Sequence, residues 1–270
     1  MSSRLKKLEP FTFNNEEFDS TVPKEEIEDV EKLKNLKEVS QNFLRVNNFD
    51  LSKEPDFSEF SEDQFVEYIL EKSKNSIITN KLNELKVEIN LRSLMSNYYT
   101  HKEDKKNKIF IFFLPEGNSS SNSLSISDYS RFISLVLKLD CQEGVLISKK
   151  DLSSKAREAV NKSNIDIGSC EGIFKIIAYK DDDFIDITKH SFVPEVTKIY
   201  REGEEVDKFM KDNNVDIKSL PRIMLNDPLA KFYRAKIGDI FQLKRKIIIS
   251  KSLLEEEIVF KLIIPPPRKK

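Results

Sequence analysis

The chain has little of what compact catalytic and metal sites are built from. Its 270 residues include two cysteines, Cys141 and Cys170, and two histidines, His101 and His190. No C-x-x-C pattern exists for them to complete, which argues against a zinc site. Two cysteines make no disulfide framework, so reduced intracellular thiols are expected. Six scattered glycines leave no glycine-rich loop to cradle a phosphate. No Ser/His/Asp or Cys/His arrangement stands out. The longest apolar run, Ile109–Leu114, is six residues, against the roughly 20 of a membrane-spanning helix. No apolar segment follows Met1 in the manner of a secretory signal. The expectation is a chain without cofactor, metal or membrane span.

What it holds in quantity is charge. Asp, Glu, Lys and Arg make up 34% of the residues, the hydrophobic set 39%, and the formal net charge is −1. The balance is uneven. From Thr188 to Lys270 there are 18 Lys and Arg against 12 Asp and Glu, while the whole chain has 45 against 46. The N-terminal part is therefore acidic and the C-terminal part basic, which argues for at least two units. A bulk nucleic-acid binder would be basic overall, so the totals alone do not indicate DNA binding.

Residues 1–22 are polar without a clean period and read as a flexible extension. Thr21-Val22-Pro23-Lys24-Glu25-Glu26 has the form of a helix start, with cap, proline and acidic first turn. Ile27, Val30, Leu33, Leu36, Val39, Phe43 and Leu44 continue at helical spacing. Ser61 and Gln64 form a capping box ahead of Phe65, Val66, Tyr68 and Ile69. Leu85, Val87, Ile89 and Leu91 alternate with polar residues and predict a strand within Lys81–Leu94. Ile109–Leu114 does not alternate and fits a strand buried on both faces. A helix is expected at Ser127–Leu139, a strand at Gly144–Ser148, a capped helix at Asp151–Ser163 and a further apolar segment at Ile173–Tyr179. Strands alternating with covering helices argue for an α/β or α+β layer domain. Asp181-Asp182-Asp183 marks a boundary. Ile258–Ile264 reads as a last strand, and Pro265–Lys270 as a tail unable to continue a ladder.

The most ordered-looking string is Leu220–Arg245, LPRIMLNDPLAKFYRAKIGDIFQLKR. Pro221 keeps Leu220 extended. Asn226-Asp227-Pro228 starts a helix, with a cap residue followed by proline where its missing N–H costs nothing. Leu229, Phe232 and Tyr233 give that helix one apolar face. Gly238 permits a turn at positive φ, and Ile240, Phe241 and Leu243 resume as a strand.

This string resembles the signature L-P-[RK]-I-x-x-x-D-P-[VL]-A-x-x-x-x-x-K-x-G-[DE]-[VI]-x-x-[IL]-x-R of the shared fifth subunit of eukaryotic RNA polymerases I, II and III. In archaea the same domain stands alone as a small polymerase subunit. Upstream, Ile187-Thr188-Lys189-His190-Ser191-Phe192-Val193-Pro194 resembles the I-T-x-H-x-L-V-P that opens the same domain. The two stretches cover about the last 80 residues. The N-terminal two thirds follow the family by order of elements.

The resemblance implies an extension (1–22), a jaw-like N-terminal α/β domain with a mixed sheet and covering helices (23–183), a small mixed α+β assembly domain (184–264) and a tail (265–270). It implies a non-catalytic polymerase subunit, present once in a hetero-oligomer. Such a subunit is anchored on the largest subunit and lines the downstream double-stranded DNA without sequence preference. The compartment implied is the nucleus, or the cytoplasm or virion for a viral copy. His190, Val193, Pro194, Leu220, Pro221, Arg222, Asp227, Pro228, Gly238 and Arg245 carry the assembly motif. There are departures. Glu195-Val196 stands where the family has Lys-His, and after Arg245 the polar R-x-S-x-T-[AS]-G turn is replaced by a glycine-free Lys246–Glu255. The last hairpin must be rebuilt, as befits a divergent or viral member.

The candidate DNA-facing residues are Lys149, Lys150, Ser153, Ser154, Lys155 and Arg157, on a loop that follows a strand and opens a helix. Exposed N–H groups and four cations there favour phosphate. In the family a Thr-Pro-Ser-Ala turn faces downstream DNA at this place. Here Ser153-Ser154-Lys155-Ala156 matches it without the proline. The plainer alternative is a capped, solvated surface helix. Two enzymatic alternatives have less behind them. Pro55-Asp56 with Glu84-Leu85-Lys86 mimics the P-D…E-x-K of metal-dependent nucleases, yet such triplets arise freely in a chain this charged. His190 as a general base has no partner in sequence and reads as structural. Asp181-Asp182-Asp183 lacks EF-hand spacing and reads as a solvated linker rather than a cation site. A free-standing scaffold carrying only the C-terminal module also remains open.

Overall fold

The computed structural model describes residues 29–74, 76–115, 123–165, 175–250 and 253–266. The expected extension, the helix start at Thr21–Glu26, Cys170 and most of the tail lie outside the described residues. The chain divides into two compact units. The first holds the described residues up to Ser40 and those from Asp50 to Asp182; the second holds Gln41–Phe49 and those from Asp183 onward. Among the described residues, no helix is long and apolar enough to cross a membrane.

The first unit is built on β1 (Asn97–Thr100), β2 (Lys108–Phe113), β4 (Glu143–Ser148) and β6 (Lys175–Lys180), ordered β1-β2-β4-β6. β1 is antiparallel to β2, whereas β2, β4 and β6 are parallel, so the sheet is mixed. Ile109 to Phe113 are all buried, which is why this strand shows no alternation. One face is covered by α3 (Ile77–Glu84), α5 (Ile126–Lys138) and α6 (Ser154–Ile165), which bring Ile78, Leu82, Phe132, Val136, Ala156 and Val160 onto Phe110, Phe112, Leu146 and Ile176. The rings of Phe112 and Phe132 stack 5.9 Å apart. At Gly144 a Cβ would stand 2.6 Å from the Phe132 ring, so glycine is what lets α5 lie on β4.

Two sequence expectations need correction here. Lys81–Leu94 holds no strand: α3 ends at Glu84, Lys86 turns left-handed (φ 52), and α4 (Leu91–Leu94) follows. Leu85 and Val87 alternate because a turn points both at the core. The helix expected from Asp151 begins at Ser154, because Asp151–Leu152 forms a short strand, β5, paired with β3 (Ser123–Leu124). The capping box of α2 (Glu62–Ser73) is present as expected.

The second unit is a sheet of β7 (Glu195–Tyr200), β8 (Arg222–Met224), β9 (Ile240–Ser250) and β10 (Leu253–Ile264), ordered β7-β9-β10-β8. Its core joins Val206 and Phe209 of α7 (Glu204–Asn213) to Leu220, Ile240 and the flanking Tyr200, Phe260 and Leu262. The Phe209 ring sits 4.7 Å from Tyr200 and 4.8 Å from Phe260. The last turns of α1 (Val30–Val46) belong to this unit. There Phe43 packs edge-on against Phe232 of α8 (Pro228–Phe232), and Asn47 donates to the Phe232 carbonyl at 2.9 Å. The rebuilt hairpin is one long antiparallel pair, with Leu262 opposite Ile240 and Leu253 opposite Ser250.

Candidate functional site

The string Leu220–Arg245 folds as its residues require. Leu220 is buried and Pro221 exposed. Arg222 opens β8, which runs parallel to the end of β10. Asp227 caps α8 by accepting from the Leu229 N–H at 2.9 Å, with Pro228 at the first helical position. Leu229, Ala230 and Phe232 are buried beneath it. Gly238 adopts φ 94. Beside it, Asp239 is fully buried and accepts from the Lys236 N–H at 2.8 Å, the Glu202 N–H at 3.1 Å and the Arg201 guanidinium at 2.8 Å. The acid of the K-x-G-[DE] signature is thus the hub of a turn. Arg245 pairs across the hairpin with Glu257.

The upstream stretch is a 3-10 turn at Ile187–Lys189 followed by a tight turn in which the Val193 N–H bonds the His190 carbonyl at 3.0 Å. His190 is exposed, and its ring lies 6.2 Å from that of Phe192. Val193 and Pro194 are half-buried, while Phe192 is 90% exposed. Met224 and Ile237 of the same unit are also exposed apolar residues. None of these side chains forms a catalytic constellation.

The basic loop lies in the first unit, at the carboxyl end of β4. Ser148 closes it by donating to the Lys150 carbonyl at 2.7 Å. Ser153 starts α6: its hydroxyl accepts from the Ala156 N–H at 3.3 Å and its carbonyl from the Arg157 N–H at 2.9 Å. Ser154, Lys155 and Arg157 are exposed, and Lys149 and Lys150 half-buried. Ala156, at the end of the matched turn, is fully buried in the core.

The acidic patterns resolve into local duties. Asp56 accepts from the Ser58 N–H and hydroxyl. Glu84 pairs with Lys81 at 3.0 Å and Lys138 at 2.9 Å, and Lys86 is exposed. Among the described residues, no group of three or more His, Cys, Asp or Glu is placed to hold a metal ion. Burial pushes the Cys141 thiol up to about 12, far from a reactive thiolate.

Asp181-Asp182-Asp183 is not a solvated linker throughout, and this corrects the sequence reading. Asp181 is buried and holds both ends of the Arg92 guanidinium, at 2.8 and 2.5 Å. Arg92, itself fully buried, also donates to the Leu114 carbonyl at 2.7 Å and the Ile147 carbonyl at 3.4 Å. One side chain therefore binds the carboxyl ends of β2 and β4 and the segment after β6. Next to it Asp182 is exposed and pairs with Lys32 at 3.2 Å and Lys180 at 3.3 Å. Hydrogen bonds from Lys32 and then Lys180 hold its carboxyl below the usual range. Sequence reasoning missed Arg92 and Lys32 because their partners, Asp181 and Asp182, lie 89 and 150 residues further along the chain. It missed Lys180, two residues from Asp182, because nothing marks that pair within a charged stretch.

A second buried network sits under α1. The Glu54 carboxylate receives Lys72 at 2.7 Å, Tyr99 at 2.8 Å and Asn97 at 2.9 Å, with Lys37 3.5 Å from its other oxygen. Burial pushes Glu54 up, but the charges of Lys37 and Lys72 and the hydrogen bonds from Lys72 and Asn97 outweigh it and hold the carboxyl at about 2. For Lys37, burial prevails and lowers the pKa.

Residues 185–261 match the family described as RNA polymerase Rpb5, C-terminal domain. The chain is 41% identical to the DNA-directed RNA polymerase subunit Rpo5 of Methanosphaera stadtmanae over 61 residues, 23% of this chain and 77% of that protein. It is 36% identical to the Rpo5 of Methanothrix thermoacetophila over 78 residues, 29% of this chain and 92% of that protein. With the Rpo5 of Methanocaldococcus jannaschii the identity is 33% over 85 residues, 32% of this chain and 99% of that protein. Between 77% and 99% of the length of these subunits is matched within this chain. The chain belongs to the Rpb5/Rpo5 family of DNA-directed RNA polymerase subunits.

Proposed function

We propose that the chain is a non-catalytic structural subunit of a DNA-dependent RNA polymerase, present once per complex. In this reading residues 184–264 are the assembly domain, anchored on the largest subunit, and residues 23–183 are a jaw-like domain lining the downstream DNA. Residues 1–22 are an extension and 265–270 a tail. The work is done where transcription occurs, in the nucleus for a cellular copy. Polymerisation and its metal ions belong to the partner subunits. The observation that carries this reading is the family string at Leu220–Arg245, whose Asp227, Gly238 and Asp239 each perform a defined folding task. The exposed Phe192, Met224 and Ile237 supply apolar surface for docking.

Lys149, Lys150, Lys155 and Arg157, with Ser153 and Ser154 at the start of α6, are the DNA-proximal residues. Their contacts are to phosphate, hence sequence-independent and salt-sensitive. The test is crosslinking of downstream DNA in the assembled polymerase. Changing Lys149, Lys150 and Lys155 to Ala should reduce crosslinking to this chain while assembly is unchanged. Equal crosslinking before and after refutes the DNA-facing assignment.

A further inference from the structure

We infer that the DNA-facing surface continues across the sheet edge onto Lys180 and Lys32, and that Asp182 sits between these two lysines as an internal competitor for phosphate. The inference rests on the reading of the Lys149–Arg157 loop as the DNA-facing one and extends it to residues on β6 and α1.

Topology places these groups together. β4 and β6 are parallel neighbours, and Ser148 is the register partner of Lys180, so the two backbones run about 5 Å apart there. Lys149 and Lys150 leave the sheet from Ser148, and α6, which begins at Ser154, packs against β6. Lys180 is thus the last residue of the strand beside the basic loop. Asp182, two residues on, is 62% exposed and draws in Lys32 as well as Lys180.

Exposed ion pairs of this kind contribute little to stability, so the two lysines can exchange this solvated carboxylate for a phosphate at little cost to the fold. Their geometry does suit a phosphodiester. It carries one negative charge and acceptor oxygens, as the carboxylate does, and a phosphate arriving at this edge would take over the same ammonium groups. The Arg92–Asp181 pair beneath fixes the ends of β2 and β4 and the start of the Asp181–Asp183 segment, so the edge is presented on a rigid base.

The test uses the full chain and a 30-bp mixed-sequence duplex, with affinity read by fluorescence anisotropy across a salt series. Asp182→Asn should tighten binding roughly three- to tenfold at low salt, by removing a competing charge. It should also steepen the salt dependence by about 0.9 per lysine transferred to phosphate. Asp140→Asn is the control: Asp140 is exposed, pairs with Lys108 and lies at the amino end of β4, so it makes the same change of net charge at the opposite end of the sheet. It should leave the affinity near that of the unmodified chain. In a Lys32→Ala, Lys180→Ala background the gain from Asp182→Asn should vanish. An Asp182→Asn chain with unchanged affinity and slope, in a series where the Lys149, Lys150 and Lys155 triple change does weaken binding, overturns this inference alone. So does an Asp140→Asn chain that tightens as much as Asp182→Asn. If the unmodified chain shows no salt-sensitive binding, the DNA-facing reading falls and this inference with it.

Discussion

Replacing Arg92 with Met should destabilise the first unit by about 4–6 kcal/mol. Removing one partner of a buried ion pair costs about 3–5 kcal/mol, because the other charge stays buried without compensation. Asp181 is 4% exposed and would be that charge. The Leu114 carbonyl also loses its 2.7 Å donor, which adds about 1 kcal/mol. Asp181→Leu should cost a similar amount, for the converse reason. The double change Arg92→Met, Asp181→Leu should recover most of the loss and end within about 2 kcal/mol of the original, since exchanging a buried pair for apolar groups is close to neutral. A chain of two units need not unfold in one step. The assay is therefore hydrogen exchange of the β2 and β4 amides, whose opening free energy reports on this unit. Single changes that cost under about 1 kcal/mol, or a double change equal to the sum of the two singles, would refute the reasoning.

Three further outcomes are expected. Glu54 titrates near 2 in the folded chain and at the ordinary 4.5 in the unfolded one. Its contribution, up to about 3 kcal/mol, is therefore complete above pH 4.5 and lost as the pH falls toward 2. Acid unfolding monitored by circular dichroism should lose that dependence in Glu54→Gln. Gly144→Ala should cost about 1–3 kcal/mol, because its new methyl meets the Phe132 ring at 2.6 Å; a thermal midpoint unchanged from the parent would count against the close approach of α5 to β4. Asp239→Ala should cost about 2–4 kcal/mol by leaving the Lys236 and Glu202 amides and the Arg201 guanidinium without their acceptor, read as lost exchange protection in β9 and β10.

Elements held by local rules were legible in the sequence. The continuous Ile-Phe-Ile-Phe-Phe run announced β2 because both faces of that strand are buried. Ser61 and Gln64 announced the start of α2 because a capping box is a four-residue device. Asp227-Pro228 and Gly238 did the same for α8 and the turn into β9. What was misread depends on distant partners or on backbone states that composition does not mark. Leu85 and Val87 alternate as strand residues do, yet Lys86 takes a left-handed turn with no glycine to signal it. The three aspartates look alike in sequence. Only Asp181 meets Arg92, 89 residues upstream, and nothing local distinguishes it from Asp182. The basic loop was visible as a run of charge, but the place of Lys180 beside it follows from strand register alone.

Membership of a working polymerase is the central claim, and purification of the tagged chain from its native cell addresses it most directly. The two large polymerase subunits should be recovered by mass spectrometry in amounts comparable with the chain itself. Deleting residues 184–264 should abolish that recovery, and changing Lys149, Lys150 and Lys155 to Ala should leave it intact. Recovery of the intact, folded chain without either large subunit would contradict the claim.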